Sequence, residues 1–163
     1  MRANDDIENA IDRFGPTVWR VCANFFAGEQ DAQDAFQETF LKYALADSVQ
    51  FGDDEHRKAW LIKVSSNVCR DMLRAAHRND VPLGDEADSV ACGPSVGESR
   101  PDSRRLEIVE AFRSLDDPPR MPVYLSLYEG YTAPEIAQMM DAPVNTVYSW
   151  ISRGRKMLKE ALS

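Results

Sequence analysis

Residues 130–162 read GYTAPEIAQMMDAPVNTVYSWISRGRKMLKEAL. Gly130-Tyr131 closes the segment before it, and Thr132-Ala133-Pro134-Glu135 has the form of a capping box. In that motif the Thr132 hydroxyl accepts from the Glu135 amide, and the Glu135 carboxylate reaches back to the Thr132 amide. A proline is tolerated in the first turn because its missing N–H has no helical acceptor there. Ile136, Ala137 and Met140 follow at helical spacing. Asp141-Ala142-Pro143 makes a short turn, and Asn145 or Thr146 is placed to cap a second helix reaching about Leu162. Two helices across a tight turn, the second one basic, form a helix-turn-helix pattern.

Placing the second helix at about 100° per residue puts Val147, Ile151, Gly154, Leu158 and Leu162 on one side, where a core is expected. Ser149, Ser152, Arg153 and Lys156 fall on the other, with Asn145 and Thr146 at its start. Tyr148 and Arg155 lie on one shoulder, Trp150 and Met157 on the other. A recognition helix offers its N-terminal half to base edges and its flanking cations to phosphates. Thr146, Ser149, Ser152 and Arg153 are therefore candidate base readers, and Arg155 and Lys156 candidate phosphate contacts.

Working back along the chain, Leu106, Val109, Phe112 and Leu115 form an apolar stripe that Asp117-Pro118-Pro119 breaks. Pro122 can open the next helix, which carries Val123, Leu125, Leu127 and Tyr128. Residues 79–103 differ in kind. Val81-Pro82, Gly84, Gly93-Pro94, Gly97 and Arg100-Pro101 are mixed with acids and serines, the composition of a flexible acidic linker.

Before the linker, Ile7, Ile11, Phe14, Val18, Val21, Cys22, Phe25 and Phe26 recur at helical spacing, with Gly15-Pro16 as a break or re-start. Asp31 is positioned to cap a helix whose apolar face is Ala35, Phe36, Phe40, Leu41 and Ala44. Residues 47–55 make a polar turn. A third helix from His56 to about His77 carries Trp60, Leu61, Val64, Val68, Met72 and Leu73, with Trp60 at the head of the core stripe. No stretch alternates with period two. The expected fold is all-α: an N-terminal helical bundle over residues 1–78, a linker over 79–103 and a four-helix domain over 104–163.

The net charge of −8 argues against nucleic acid until its distribution is considered. Residues 1–56 are dominated by Asp and Glu. Residues 57–78 hold Arg57, Lys58, Lys63, Arg70, Arg74 and Arg78 against Asp71 alone. Residues 145–159 hold Arg153, Arg155, Lys156 and Lys159 with no acid. Two basic islands in an acidic chain suggest two anion-binding surfaces and an acidic remainder for a basic protein partner. Cys22, Cys69 and Cys92 form no CxxC pair, and His56 and His77 have no neighbour at ligand spacing, so neither a disulfide framework nor a metal site is expected. No apolar run reaches the roughly 20 residues of a membrane span, and no apolar signal core follows the N-terminus. The expectation is a cytoplasmic protein without a cofactor and without a membrane partner. With no Gly-rich phosphate loop and no Ser/His/Asp set, an enzyme is the least favoured class.

Three stretches together resemble one family. Asp31-Ala-Gln-Asp-Ala-Phe-Gln-Glu-Thr-Phe-Leu-Lys-Tyr43, then Trp60-Leu-Ile-Lys-Val-Ser-Ser-Asn67 with Arg70, Asp71 and Arg74, then Tyr131–Val147 with Ser149, Ile151, Arg153, Arg155 and Leu158 are similar, in that order, to segments of extracytoplasmic-function (ECF) sigma factors of RNA polymerase. The resemblance implies that Asp34, Gln37, Glu38 and Lys42 dock on the clamp helices of the largest subunit of core RNA polymerase. It implies that Asn67 begins a segment reading the promoter −10 element, with Lys63, Arg70, Asp71, Arg74, His77 and Arg78 beside the separated strand. It assigns Thr146, Tyr148, Ser149, Ser152, Arg153, Arg155 and Lys156 to the −35 element, and it implies an anti-sigma factor as a further partner. Tyr148 and Trp150 depart from the pattern, because family members commonly carry Lys or Arg there; the target sequence is therefore open. Two other readings account for part of the sequence: a helix-turn-helix regulator working without polymerase, which leaves residues 31–78 unemployed, and a sigma-like decoy.

Overall fold

The computed structural model describes residues 1–79, 103–115 and 119–162, with the side chains of 77–79, 103–106 and 109 excepted. Residues 80–102 of the expected linker, Cys92 among them, and Asp117-Pro118 of the expected break lie outside the described residues; Asn79 and Ser103 are helical. The described residues hold seven helices and no strand, as an all-α fold requires. The chain divides into two compact units, Met1–Gly97 and Glu98–Ser163.

In the first unit, α1 (Asn4–Phe25), α2 (Glu29–Leu45) and α3 (Asp54–Asn79) pack against one another. Helix α1 runs unbroken through Gly15-Pro16, contrary to the expected break. Proline removes only one helical hydrogen bond, to the carbonyl four residues earlier, and Asp12 and Pro16 both face solvent, so water can take that carbonyl. Burial of Ala10, Phe14, Val18, Val21, Cys22 and Phe25 holds the helix together across the defect.

Helix α2 starts at Glu29 with Gly28 as N-cap and no side-chain cap, so Asp31 sits inside the first turn rather than capping it. Its carboxylate there still favours the positive end of the helix dipole. Ala32, Ala35, Thr39, Phe40 and Tyr43 are buried, whereas Leu41, expected in the core, is 52% exposed. Adjacent Phe40 and Leu41 cannot both face inward on one helix, and Phe40 takes the inner position. Helix α3 begins at Asp54, two residues earlier than expected, and the Asp53 carboxylate accepts from the His56 amide at 2.9 Å. Trp60 is half-buried and packs edge-on to Tyr43 and Phe51.

A polar knot joins the three helices. Arg2 donates to the carbonyls of Tyr43 (2.9 Å), Ala46 (2.7 Å) and Val49 (2.9 Å), tying the end of α2 and the turn after it to the chain's start. Its guanidinium lies 4.5 Å from the Tyr43 ring centroid. Asp6 accepts from the Tyr43 hydroxyl at 2.6 Å and from Arg57 at 3.3 Å, and Arg57 also reaches Asn9 at 2.9 Å.

In the second unit α4 (Ser103–Arg113), α5 (Arg120–Leu127) and α6 (Ala133–Met140) all pack on α7 (Val144–Leu162). Leu115, Met121, Val123, Leu125, Ile136 and Val147 are almost wholly buried. Arg120 plays the part here that Arg2 plays in the first unit, donating to the carbonyls of Arg113 (3.0 Å) and Leu115 (2.8 Å) behind α4. Gly154 is a contact point. A Cβ there would stand 2.1 Å from Cγ2 of Val123 and 3.2 Å from Cβ of Pro119, so α7 presents bare backbone to α5.

Candidate nucleic-acid interface

The turn between α6 and α7 is built as its sequence suggests. Thr132 is the N-cap of α6: its amide donates to the Glu135 carboxylate at 2.8 Å, and its hydroxyl oxygen accepts from the Glu135 amide at 3.4 Å. Asp141 ends α6 in the left-handed region at φ 54, and its amide donates to the Ala137 carbonyl. Asp tolerates that conformation better than most residues with a side chain. Helix α7 then begins at Val144, with the Pro143 carbonyl accepting from the Val147 amide at 3.1 Å. Neither Asn145 nor Thr146 is the cap, as both lie inside the first turn. Asn145 is thereby released to solvent.

Val147, Gly154 and Leu158 face the core, with Ile151 half-buried; Leu162, expected with them, is 46% exposed in the last turn. Tyr148, Ser149, Ser152, Arg153, Arg155 and Lys156 are all exposed, and Thr146 and Trp150 half-buried. Tyr148, at 56% exposure, is therefore offered outward, and Trp150 is the more enclosed of the two aromatic departures. Among the described residues Arg153, Arg155 and Lys156 make no ion pair. Four cations in the last eleven residues of α7, against Glu160 alone, leave a positive outer surface behind an uncharged first half.

Helix α3 carries the second basic surface. Lys63, Asn67, Arg70, Asp71 and Arg74 recur along one stripe, with Asn67, Asp71 and Arg74 exposed and Lys63 and Arg70 half-buried. Arg70 reaches the Asn67 side-chain oxygen at 3.4 Å and lies 5.8 Å from the Phe25 ring centroid. Arg74 pairs with Asp71 at 2.7 Å. His77 and Arg78 fall in the last turn of α3, and their side chains are outside the described residues. Arg57, counted above in the basic island, is only 14% exposed and is spent on Asp6, Asn9 and Asp54. Arg57 therefore drops out of the outward-facing island.

On α2, Asp34, Gln37, Glu38 and Lys42 are all exposed, with Lys42 3.7 Å from Glu38 and Asp34 accepting from Gln30 at 3.0 Å. Sequence reasoning missed what lies among them: Leu41 (52% exposed) and Leu45 (61%), one turn apart on the same face. The signal was present, because Thr39 and Tyr43 already fill the inward positions between Phe40 and Ala44. Among the described residues no group of His, Cys, Asp and Glu could hold a metal ion.

Comparison with known proteins gives the family. Residues 10–79 match the model of sigma-70 region 2, and residues 105–158 that of sigma-70, region 4. The chain is 32% identical over 140 residues to the ECF RNA polymerase sigma-E factor of Escherichia coli K12, covering 78% of this chain and 72% of the relative. It is 28% identical over 159 residues to the RNA polymerase sigma factor NccH of Alcaligenes xylosoxydans xylosoxydans, covering 93% and 84%. The fold is shared with the sigma factor RpoE of Bartonella quintana, solved in complex with the anti-sigma factor NepR (TM-score 0.75, 23% identity, 96% of each chain). It is shared also with CnrH, solved with the cytosolic domain of CnrY (TM-score 0.64, 23% identity, 98% and 89%). The protein belongs to the ECF family of RNA polymerase sigma factors. Its function is to direct transcription initiation.

Proposed function

We propose that the two units divide the work of promoter recognition: residues 1–78 bind core polymerase and open the −10 element, and residues 104–163 bind the −35 element, with residues 79–103 as the linker. One observation carries this reading. Three outward faces occur in chain order, each with a different chemistry: apolar with a charged rim on α2, an exposed amide on a basic stripe on α3, and a helix-turn-helix backed by exposed Arg153, Arg155 and Lys156 on α7.

On α2, Leu41 and Leu45 form the apolar centre and Asp34, Gln37, Glu38 and Lys42 the polar rim, the anatomy of a protein interface. The acidic members suit a basic partner helix such as a polymerase clamp helix. On α3, the exposed Asn67 amide, steadied by Arg70, faces solvent where an unstacked base edge would meet it, and Lys63, Arg70 and Arg74, with His77 and Arg78 beyond, line the path of a single strand; Asp71 orients Arg74. Melting needs no catalytic group. Binding the separated strand more tightly than the duplex shifts the equilibrium toward the open state. On α7, Thr146, Tyr148, Ser149, Ser152 and Arg153 face bases, and Arg155 and Lys156 hold phosphates.

The protein acts without an active site of its own and without a cofactor, in the cytoplasm. No helix among the described residues is long and apolar enough to cross a membrane. An anti-sigma protein is a further partner, as for the Bartonella quintana sigma factor solved with the anti-sigma factor NepR. Run-off transcription with purified core enzyme tests the division. Glu38→Lys is expected to lower polymerase association, Asn67→Ala to spare duplex binding and impair opening, and Arg153→Ala to weaken −35 binding. If all three variants fail at the same step, the division of labour is wrong; if wild-type protein does not associate with core polymerase, so is the whole reading.

A further inference from the structure

The first nine residues of α7, Val144 to Ser152, contain no charge. Half of a helix that docks in a major groove would ordinarily meet guanine with Arg or Lys, or adenine with a paired amide contact. Here the outward positions of those two and a half turns are Val144, Asn145, Tyr148, Ser149 and Ser152. Val144 (36% exposed) and Tyr148 (56% exposed) stand one turn apart, on the same shoulder of the helix. Attraction to the backbone comes from behind them, from Arg155 and Lys156, which make no ion pair with any described residue. That charge brings the helix to DNA, and its front end then presents an aromatic ring and an isopropyl group to the base edges.

The major groove contains one apolar group, the C5-methyl of thymine. Cytosine carries only a hydrogen at C5, beside its N4 donor; guanine shows two acceptors, and adenine an acceptor and a donor. An exposed ring pressed against any of these without a hydrogen-bond partner would leave a polar edge desolvated. Pressed against a thymine methyl, it removes apolar surface from water on both sides. Single exposed apolar side chains need no special account. Two on one face of the base-facing half, in place of every cation, do.

We propose that Tyr148, backed by Val144, is a specificity-determining residue that reads a thymine methyl in the −35 element. Ser149 and Ser152 tolerate either base type beside it. The preference rests on the assignment of α7 to the −35 element given above.

The experiment separates the two claims. The full chain with core polymerase selects duplexes from a library randomised upstream of a fixed −10 sequence. Each thymine of the selected −35 element is then replaced by deoxyuridine, which deletes the methyl and nothing else. The expected result is a loss of about fourfold in holoenzyme binding at one or two positions, the scale of one buried methyl. Tyr148→Ala should bind methylated and unmethylated duplexes equally, and Tyr148→Phe should keep the wild-type discrimination, since the ring and not the hydroxyl reads the methyl. Wild-type indifference to every uracil substitution would overturn the inference while leaving −35 binding in place, as would undiminished discrimination in Tyr148→Ala. Failure to enrich any upstream sequence would overturn the −35 assignment, and the inference with it.

Discussion

Helices α3 and α7 both turn basic faces outward, but they prepare their cations differently. On α3 the arginines are engaged before any nucleic acid arrives: Arg74 with Asp71 at 2.7 Å, Arg70 with Asn67 and over the Phe25 ring. On α7 Arg153, Arg155 and Lys156 extend from the helix with no acid to hold them. An ion pair on a surface is worth little in stability. Its value on α3 is geometric, since it narrows the conformations of side chains that must meet one unstacked strand. Duplex DNA is a regular array of charge, and mobile cations suit it. The contrast is one of order against charge: the strand-facing helix gives up net charge for orientation, and the duplex-facing helix keeps its charge.

The largest expected effect removes one side of the comparison. Gly154→Leu forces side-chain atoms into the space held by Cγ2 of Val123, a stiff β-branched residue, and Pro119. Overpacking of this kind costs roughly 1–3 kcal/mol and occasionally more. Thermal melting should show the 104–163 unit lost or strongly destabilised, and −35 binding should fall at least about tenfold by the same conversion, while association with core polymerase through the first unit persists. Retention of full −35 affinity would mean that α7 does not need its seat on α5.

Salt titration tests the difference itself. Arg155→Ala and Lys156→Ala should each flatten the log–log salt slope of duplex binding by about one, with affinity falling several-fold at low salt. Arg74→Ala should change strand binding less, because Asp71 already offsets its charge. The sharper version is Asp71→Ala, which leaves Arg74 unpaired. If charge alone matters on α3, strand affinity rises; if orientation matters, opening of the −10 element slows despite the added positive charge. Smaller still is Thr132→Ala, which deletes the hydroxyl half of the capping box and should cost the second unit about 1 kcal/mol in denaturant unfolding.

The smallest effect concerns pH and the first unit. Burial, then the hydrogen bond to Asp6, raises the Tyr43 phenol above its ordinary range. Its folded pKa exceeds its unfolded one, so its contribution is complete below the ordinary phenol range and is lost as pH climbs from there through the raised folded value. Unfolding of the first unit should therefore become easier in strong alkali, and Tyr43→Phe should blunt that dependence.

The helical class and the helix-turn-helix were legible because both depend on local chemistry. The capping box is satisfied within four residues, and apolar periodicity exposes a helix before anything packs on it. What stayed hidden depends on distant parts of the chain. Nothing near Gly15-Pro16 announces that burial along α1 carries the helix through a proline. Arg57 reads as part of a basic island, and only the approach of Asp6 and Asn9 from α1 turns it inward. Leu41 is the instructive miss: its hydrophobicity argued for the core, and its register beside Phe40 argued for solvent. Register decided, and the exposed leucine pair with Leu45 became part of the candidate polymerase face. The start of α7 was misplaced because Asn145 and Thr146 are good caps by type, whereas the turn geometry after Asp141 lets Pro143 serve.

The buried spine of α7, Val147, Gly154 and Leu158, shares no residue with its outward set, Asn145, Tyr148, Ser149 and Ser152. The spine seats the helix through bare backbone at Gly154, so its height and rotation on the domain are set without reference to the outward side chains. Promoter preference can then drift one substitution at a time with little penalty in folding. A cell holding several copies of such a gene could diversify their targets while every copy remained a well-folded subunit of the same polymerase.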